Sequence, residues 1–322
     1  MNCSFIILTE LGYGVGLGHY TRTRALYETL LEKNEIGVMY VNQVNDSKLY
    51  PYAINCNWLQ DLNFLDKHNP NIKVIIDSYL MDTDFLKLAS IKYKNIVILD
   101  DFNRIDYENV KLIINPNVYF SDINYNNQSV KVLGGSNFVI LRKSFTQLSQ
   151  YSTKNSEKLK ILLTIGGSDY RNIVPKLIEI ILNNTNHELV VISPEVLKSN
   201  FDCNRLKLFK ILDEQEMYYQ MQYCDIAISA CGQTLHELAS VGIPTIGISI
   251  DFDQKFNQKY YHTENIIPNI INWDDQDLEH KILLDIKKYE LKELREKVSK
   301  KALTLVNRNG TDNIVELIKS LQ

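Results

Sequence analysis

Short runs of β-branched and other apolar residues recur along this chain, and most are followed by a turn and a helical period. In the first half Cys3–Leu8, Gly37–Val41, Lys73–Ile76, Asn95–Leu99, Lys111–Ile114 and Phe138–Leu141 read as strands. Between them, His19–Lys33, with Leu26 and Leu30 on one face, and Asp82–Lys92, opening with Asp-Thr-Asp, read as helices. Strands that are apolar throughout are buried on both faces, so the alternation predicts a parallel sheet covered by helices on each side. The pattern breaks at 146–158, a polar stretch with no apolar period, and then restarts. Leu159–Ile165, Leu189–Ile192, Leu206–Phe209, Ile226–Ser229 and Thr245–Ile250 read as a second set of strands. Asn172–Leu182, Leu278–Leu305 and Asp312–Leu321 read as helices. A length of 322 residues accommodates two such domains. The expected class is α/β, with two Rossmann-like doubly wound domains at 1–145 and 159–322 and a linker at 146–158. They are expected to face each other across a cleft.

Several functions are disfavoured at once. The formal charge of −4 disfavours the broadly basic surface that non-specific nucleic-acid binding needs, so no nucleic acid is expected as a partner. The longest apolar runs fall far short of the ~20 residues that cross a bilayer, and Met1 is followed by no basic segment or cleavage site. The five cysteines are odd in number and contain no CxxC pair, which reads as reduced thiols in a cytoplasmic protein. The six histidines form no HxH or HxxxH pair, so no metal site is expected.

The chemistry concentrates after particular strands. Gly12, Gly14, Gly16 and Gly18 alternate directly after the first strand and end at His19. Glycines there let a ligand approach the backbone, at the carboxyl edge where doubly wound sheets bind ligands. The spacing to the helix is wrong for a dinucleotide fingerprint, Asn42 replaces the acid after the second strand, and no GxxxxGK[ST] is present. No nicotinamide cofactor or any other is expected. His19 at a helix start is a candidate general base, and the helix dipole should favour its neutral form. Asp77 and Tyr79 end the third strand and Asp100-Asp101 the fourth, on the same edge. Asp77 is placed to orient the histidine, and Tyr79 to hydrogen-bond a sugar.

The second half repeats the layout. Gly166-Gly167-Ser168-Asp169 lies between a strand and a helix, where backbone amides form an anion site. Ser229–Glu237 does the same, with small residues around Cys231, Gly232, Gln233 and Thr234 for a pyrophosphate and Glu237 for the ribose hydroxyls. Gln254 and Asn257 open the next helix. His236 reads as structural.

Together these motifs resemble the two-domain GT-B sugar-nucleotide enzymes, in particular the UDP-sugar hydrolases of pseudaminic acid biosynthesis and their spore-coat polysaccharide relatives. The muramyl-pathway N-acetylglucosaminyltransferase is a more distant likeness. Gly16-x-Gly18-His19-x-x-Arg22 matches the family's GxGHxxR, Asp77-Ser78-Tyr79 its Asp-His-Tyr with Ser78 in place of histidine, and Asp100-Asp101 its strand-end acids. Leu133-Gly134 with Leu141-Arg142-x-x-Phe145, Gly166–Asp169, Ser229–Glu237 and Asn309-Gly310 match further motifs, with Gln233 where the family has a small residue. The resemblance implies a UDP-sugar substrate with no metal in the cleavage. His19, Asp77 and Tyr79 would act in catalysis, Gly16, Gly18, Arg22 and Asp101 would line the sugar side, and the second-half loops would hold the nucleotide. It also implies a last helix that crosses back to the first domain. Two outcomes stay open: hydrolysis of the linked sugar, or its transfer to a glycan or a lipid-linked acceptor, the latter bringing peripheral contact with a membrane.

Overall fold

The computed structural model describes residues 3–12, 17–43, 51–60, 62–194 and 204–321. The chain divides into two units, Met1–Lys143 with Asn307–Gln322, and Ser144–Val306.

In the first unit β1 (Phe5–Leu11), β2 (Gly37–Gln43), β3 (Ala53–Asn55), β4 (Lys73–Asp77), β5 (Asn95–Leu99), β6 (Leu112–Asn115) and β7 (Val132–Gly134) form one sheet in the order β3-β2-β1-β4-β5-β6-β7. Every pairing is parallel. The two-residue period of a strand sorts its side chains into two cores. Phe5, Ile7, Ile75 and Val97 pack with α1 (Gly18–Glu32) and with the last helix, Gly310–Ser320. Ile6, Leu8, Val74, Ile76 and Ile98 pack with Trp58 and with α2 (Thr83–Lys92). Asp82 caps α2 by accepting from Phe85 N at 2.8 Å.

Phe138–Leu141 is not a strand. Ser136–Phe138 forms a short 3-10 turn, and the sheet already ends at β7. The backbone that follows is satisfied by the last helix instead. Leu141 N donates to Thr311 Oγ1 at 2.9 Å, and the same hydroxyl donates to Leu141 O at 3.0 Å. Gly310 is required beside it, because a Cβ there would lie 2.1 Å from Val139 O.

In the second unit β8 (Lys160–Thr164), β9 (Glu188–Ile192), β10 (Leu206–Phe209), β11 (Ile226–Ala230), β12 (Thr245–Ser249) and β13 (Ile271–Asn272) run parallel in the order β10-β9-β8-β11-β12-β13. The helices are α3 (Ile173–Asn184), α4 (Glu214–Tyr223), α5 (Gln233–Val241), α6 (Gln254–Thr263), α7 (Leu278–Tyr289) and α8 (Lys292–Leu305), and the last helix of the chain is α9. The stretch 146–158 is packed on this unit rather than spanning free. Tyr151 Oη donates to Asp225 O at 2.7 Å, Lys154 Nζ to Tyr223 O at 2.7 Å, and Arg295 Nη2 to Lys154 O at 2.7 Å. Its polar residues are thus partners for carbonyl groups, which explains the missing apolar period. Among the described residues Cys3, Cys56, Cys224 and Cys231 are free thiols, and no helix is long and apolar enough to cross a membrane.

Candidate active site

Strand β1 pairs with β2 on one side and β4 on the other. The winding therefore reverses between β1 and β4, the position at which open α/β sheets bind ligands beyond their carboxyl ends. Glu10 near the end of β1, Asp77 ending β4, Asp100 and Asp101 after β5, and Asn115 ending β6 all reach this edge. α1 follows, with His19 in its first turn. Thr23 Oγ1 donates back to His19 O at 2.7 Å and holds that turn. Gly18, which opens the helix, is exposed, and a Cβ there would meet nothing within 4 Å.

These residues form one buried network. His19 Nδ1 lies 2.6 Å from Asp77 Oδ1; an ionised carboxylate only accepts, so Nδ1 carries the proton and Nε2 is the basic nitrogen. Arg22 Nε and Nη2 donate to Asp77 at 2.7 and 2.6 Å, and Arg22 Nη1 donates to Asp101 Oδ1 at 2.8 Å. Asp101 also accepts from Tyr79 Oη at 2.7 Å and from Asn117 Nδ2 at 2.6 Å. The Tyr79 ring stands edge-on to the imidazole, with centroids 4.2 Å apart. On the other side of the histidine, Glu10 Oε1 lies 3.9 Å from Nε2.

The electrostatics follow from burial opposed by pairing. Burial works against the charged imidazole, but the Asp77 carboxylate outweighs it and holds the His19 pKa above its ordinary 6.5. The helix-start argument for a favoured neutral form is thereby corrected: a carboxylate at hydrogen-bond distance exceeds a terminal dipole. Burial would raise the Asp77 pKa, yet Arg22 and His19 bring it down to about 2. Asp101 is likewise lowered, burial being overcome by Arg22.

Arg22 and Asp101 were expected to line the sugar side; the structure places the Arg22 guanidinium buried and paired with Asp77 and Asp101. They act as the frame that fixes Asp77 and, through it, the histidine. Tyr79 keeps its place beside His19 while its hydroxyl proton goes to Asp101. Gly16 lies outside the described residues. Glu10 and Asn117 were not foreseen. Glu10 is fully buried and accepts from Ser78 Oγ, from Tyr79 N at 2.7 Å and from Leu80 N at 3.3 Å. The only signal for it was an acidic residue closing an apolar strand.

In the second unit the reversal falls between β8 and β11. After β8, Gly167 and Ser168 are exposed, and Gly166 takes a φ of +92° that favours glycine. The Asp169 carboxylate accepts from Ile173 N at 2.8 Å and Val174 N at 2.9 Å. It thereby occupies amides at the start of α3 that were expected to bind an anion. The start of α5 differs: Gly232 is its cap, with no side-chain cap bond and no acid in the first turn. Gln233 and Thr234 are half-buried there, and Glu237, one turn on, is almost fully buried. Cys231 turns its thiol inward, where it would meet a Cβ on Gly247 at 2.8 Å, so only its backbone faces the loop. Asn257 Nδ2 donates to Cys231 O at 3.2 Å, and Gln254 Oε1 accepts from Ile250 N at 3.2 Å, so both brace neighbouring loops. His236 is fully buried, with Nδ1 2.9 Å from Tyr261 Oη, which fits a structural role.

No family model matches the chain. It is 26% identical over 267 residues to an uncharacterized protein of Methanocaldococcus jannaschii, covering 74% of this chain and 54% of that one. It is 24% identical over 263 residues to a Helicobacter pylori protein named pseudaminic acid cytidylyltransferase and UDP-2,4-diacetamido-2,4,6-trideoxy-β-L-altropyranose hydrolase, covering 81% of this chain and 47% of that one. The spore coat polysaccharide biosynthesis protein SpsG of Bacillus subtilis is 24% identical over 263 residues, with 76% of each chain covered. The chain spans about half the length of the first two relatives. Among solved structures, MurG of Acinetobacter baumannii superposes with a TM-score of 0.64 at 12% identity, covering 98% of this chain and 99% of that one. The chain has the GT-B fold. The spinosyn rhamnosyltransferase SpnG, solved with thymidine diphosphate, has a TM-score of 0.60 at 12% identity, covering 97% of this chain and all of that one. This GT-B chain also bears the resemblance to the hydrolase and spore-coat proteins that its motifs announced.

Proposed function

We propose that this protein is an enzyme that cleaves a nucleotide-linked sugar at its anomeric carbon, with water as the nucleophile and UDP as the leaving group. The observation that carries the reading is the His19–Asp77 pair at 2.6 Å, which fixes the tautomer and leaves Nε2 as the base. Water donates a proton to Nε2 as its oxygen bonds to C1. The bond from C1 to the diphosphate oxygen breaks, and its electron pair leaves with UDP. Asp77 stabilises the imidazolium formed in that step, and Arg22 and Asp101 hold Asp77 in place. In the second unit, the uncapped start of α5 and the exposed Gly167-Ser168 turn are assigned to the diphosphate, and Glu237 to the ribose. The named activity of the Helicobacter pylori relative supports UDP and an acetamido, deoxy sugar.

A second reading, transfer of the sugar to a glycan or lipid-linked acceptor, draws support from the likeness to a rhamnosyltransferase. Incubation with UDP-N-acetylglucosamine and UDP-linked diacetamido sugars, with and without glycan or lipid acceptors, separates the two. Release of UDP with an equal amount of free sugar supports hydrolysis. Release that requires an acceptor supports transfer, and no release from any of these donors rejects both.

A further inference from the structure

We propose that Glu10 is a positioning residue that holds the attacking water jointly with His19 and so selects water over a hydroxyl acceptor. The inference rests on the hydrolytic reading above. A carboxylate offers about four acceptor positions. Ser78 Oγ and Leu80 N take two on Oε2, and Tyr79 N takes one on Oε1. Among the described residues this leaves one position, on the oxygen that lies 3.9 Å from His19 Nε2. That distance is too long for a direct hydrogen bond.

Because Asp77 holds the Nδ1 proton, the neutral ring presents a lone pair at Nε2. In that base form two acceptors face one another across 3.9 Å with no proton between them, and a donor of two protons standing there satisfies both, whereas the protonated ring would point its own Nε2 proton at the carboxylate. Water fits the gap: an oxygen about 2.8 Å from each atom would make its two bonds at about 90°, near the angle between water's own O–H bonds. A hydroxyl group brings one proton. If that proton goes to His19, its substituent or a lone pair is left against the carboxylate. The other charged groups around the imidazole are Asp77 from β4, Arg22 from α1 and Asp101 after β5. Arg22 is paired with the two aspartates, so among the described residues Glu10 is the carboxylate on the Nε2 side.

The test compares the wild type with Glu10→Gln and Ser78→Ala in two measurements. In high-resolution crystal structures, the wild type is expected to show a water within hydrogen-bond reach of both Nε2 and Oε1, displaced in Glu10→Gln. A wild-type water held by His19 alone, or none at that position, overturns the proposal. In aqueous methanol with UDP-N-acetylglucosamine, Glu10→Gln is expected to hydrolyse at least about tenfold more slowly with KM little changed, as loss of a charge-assisted hydrogen bond allows. The share of methyl glycoside among its products should rise several-fold. Ser78→Ala removes one donor to Oε2 and loosens the 78–80 turn but keeps Oε1 and its open position, so it should lower Tm and shift the product ratio far less than Glu10→Gln does. An unchanged ratio in Glu10→Gln overturns the proposal and makes Glu10 an anchor for that turn only. A wild type that holds the bridging water yet cleaves no UDP-sugar supports the water site and rejects the hydrolytic reading instead.

Discussion

His19 is governed by a balance that burial and Asp77 strike between them. Its folded pKa lies above 6.5, so the base form gains ground only as pH rises through that higher value, and turnover should rise with it. In Asp77→Asn the carboxylate is gone while burial remains, so the pH of half-maximal turnover should move to lower pH, with a lower plateau. A pH–rate profile on both proteins checks this. The stability linkage has the matching sign. The contribution of a protonated His19 is fully present below pH 6.5 and is lost as pH rises through the folded value; that of Asp77 is lost as pH falls from its ordinary range toward about 2. Arg22→Ala leaves two carboxylates buried without their partner and should cost about 3–5 kcal/mol, measured by urea unfolding. Glu237→Ala should weaken UDP by about tenfold or more, since a charge-assisted hydrogen bond contributes roughly 1.5–3 kcal/mol; unchanged affinity in calorimetry would remove Glu237 from the nucleotide site. His19 and the strand-end acids were legible because loops at the carboxyl edge announce themselves by glycine and aspartate. The Arg22 pairs were not, because they join positions 55 and 79 residues apart. Glu10 was not, because its single cue is shared with any strand that ends at a surface.

Helices and long strands follow from period and composition, whereas short elements follow from their neighbours. β5 and β10 fall on the expected residues, and α2 begins after Asp82 as its cap predicts. β3, β7 and β13 have three, three and two residues, too few to show a period. α4 carries a readable signal at its start, where Asp213 and Glu216 form a capping box with bonds of 2.8 and 2.9 Å. Phe138–Leu141 has strand composition but no strand beside it, and Thr311 of α9 serves its backbone instead. Thr311→Val preserves shape and removes that hydroxyl, leaving a buried amide and carbonyl unpaired. It should cost about 1–3 kcal/mol, with m unchanged in urea unfolding; no loss of stability would mean that α9 is held by its apolar face alone.

Across the whole molecule, two units share one plan: a parallel sheet whose winding reverses beside its first strand. That plan sets an acid–base network on the carboxyl edge of one sheet and small-residue loops on the corresponding edge of the other. The repeated alternation of strand and helix made both sheets legible. The membership of α9 in the first unit is carried by contacts 170 residues apart, and only the resemblance to known enzymes suggested it beforehand. The central claim is that His19 activates water at the anomeric carbon. It is tested most directly by single-turnover reaction of a UDP-acetamido sugar in heavy-oxygen water, with wild type and His19→Ala compared at equal fold content and with UDP binding checked on both. The account predicts that the heavy oxygen enters the sugar and not UDP. Since positioned general bases contribute about 10²–10⁴-fold, His19→Ala should bind UDP normally yet turn over at least about a hundredfold more slowly. Heavy oxygen in the released nucleotide, or a folded His19→Ala protein with near-normal turnover, would contradict it.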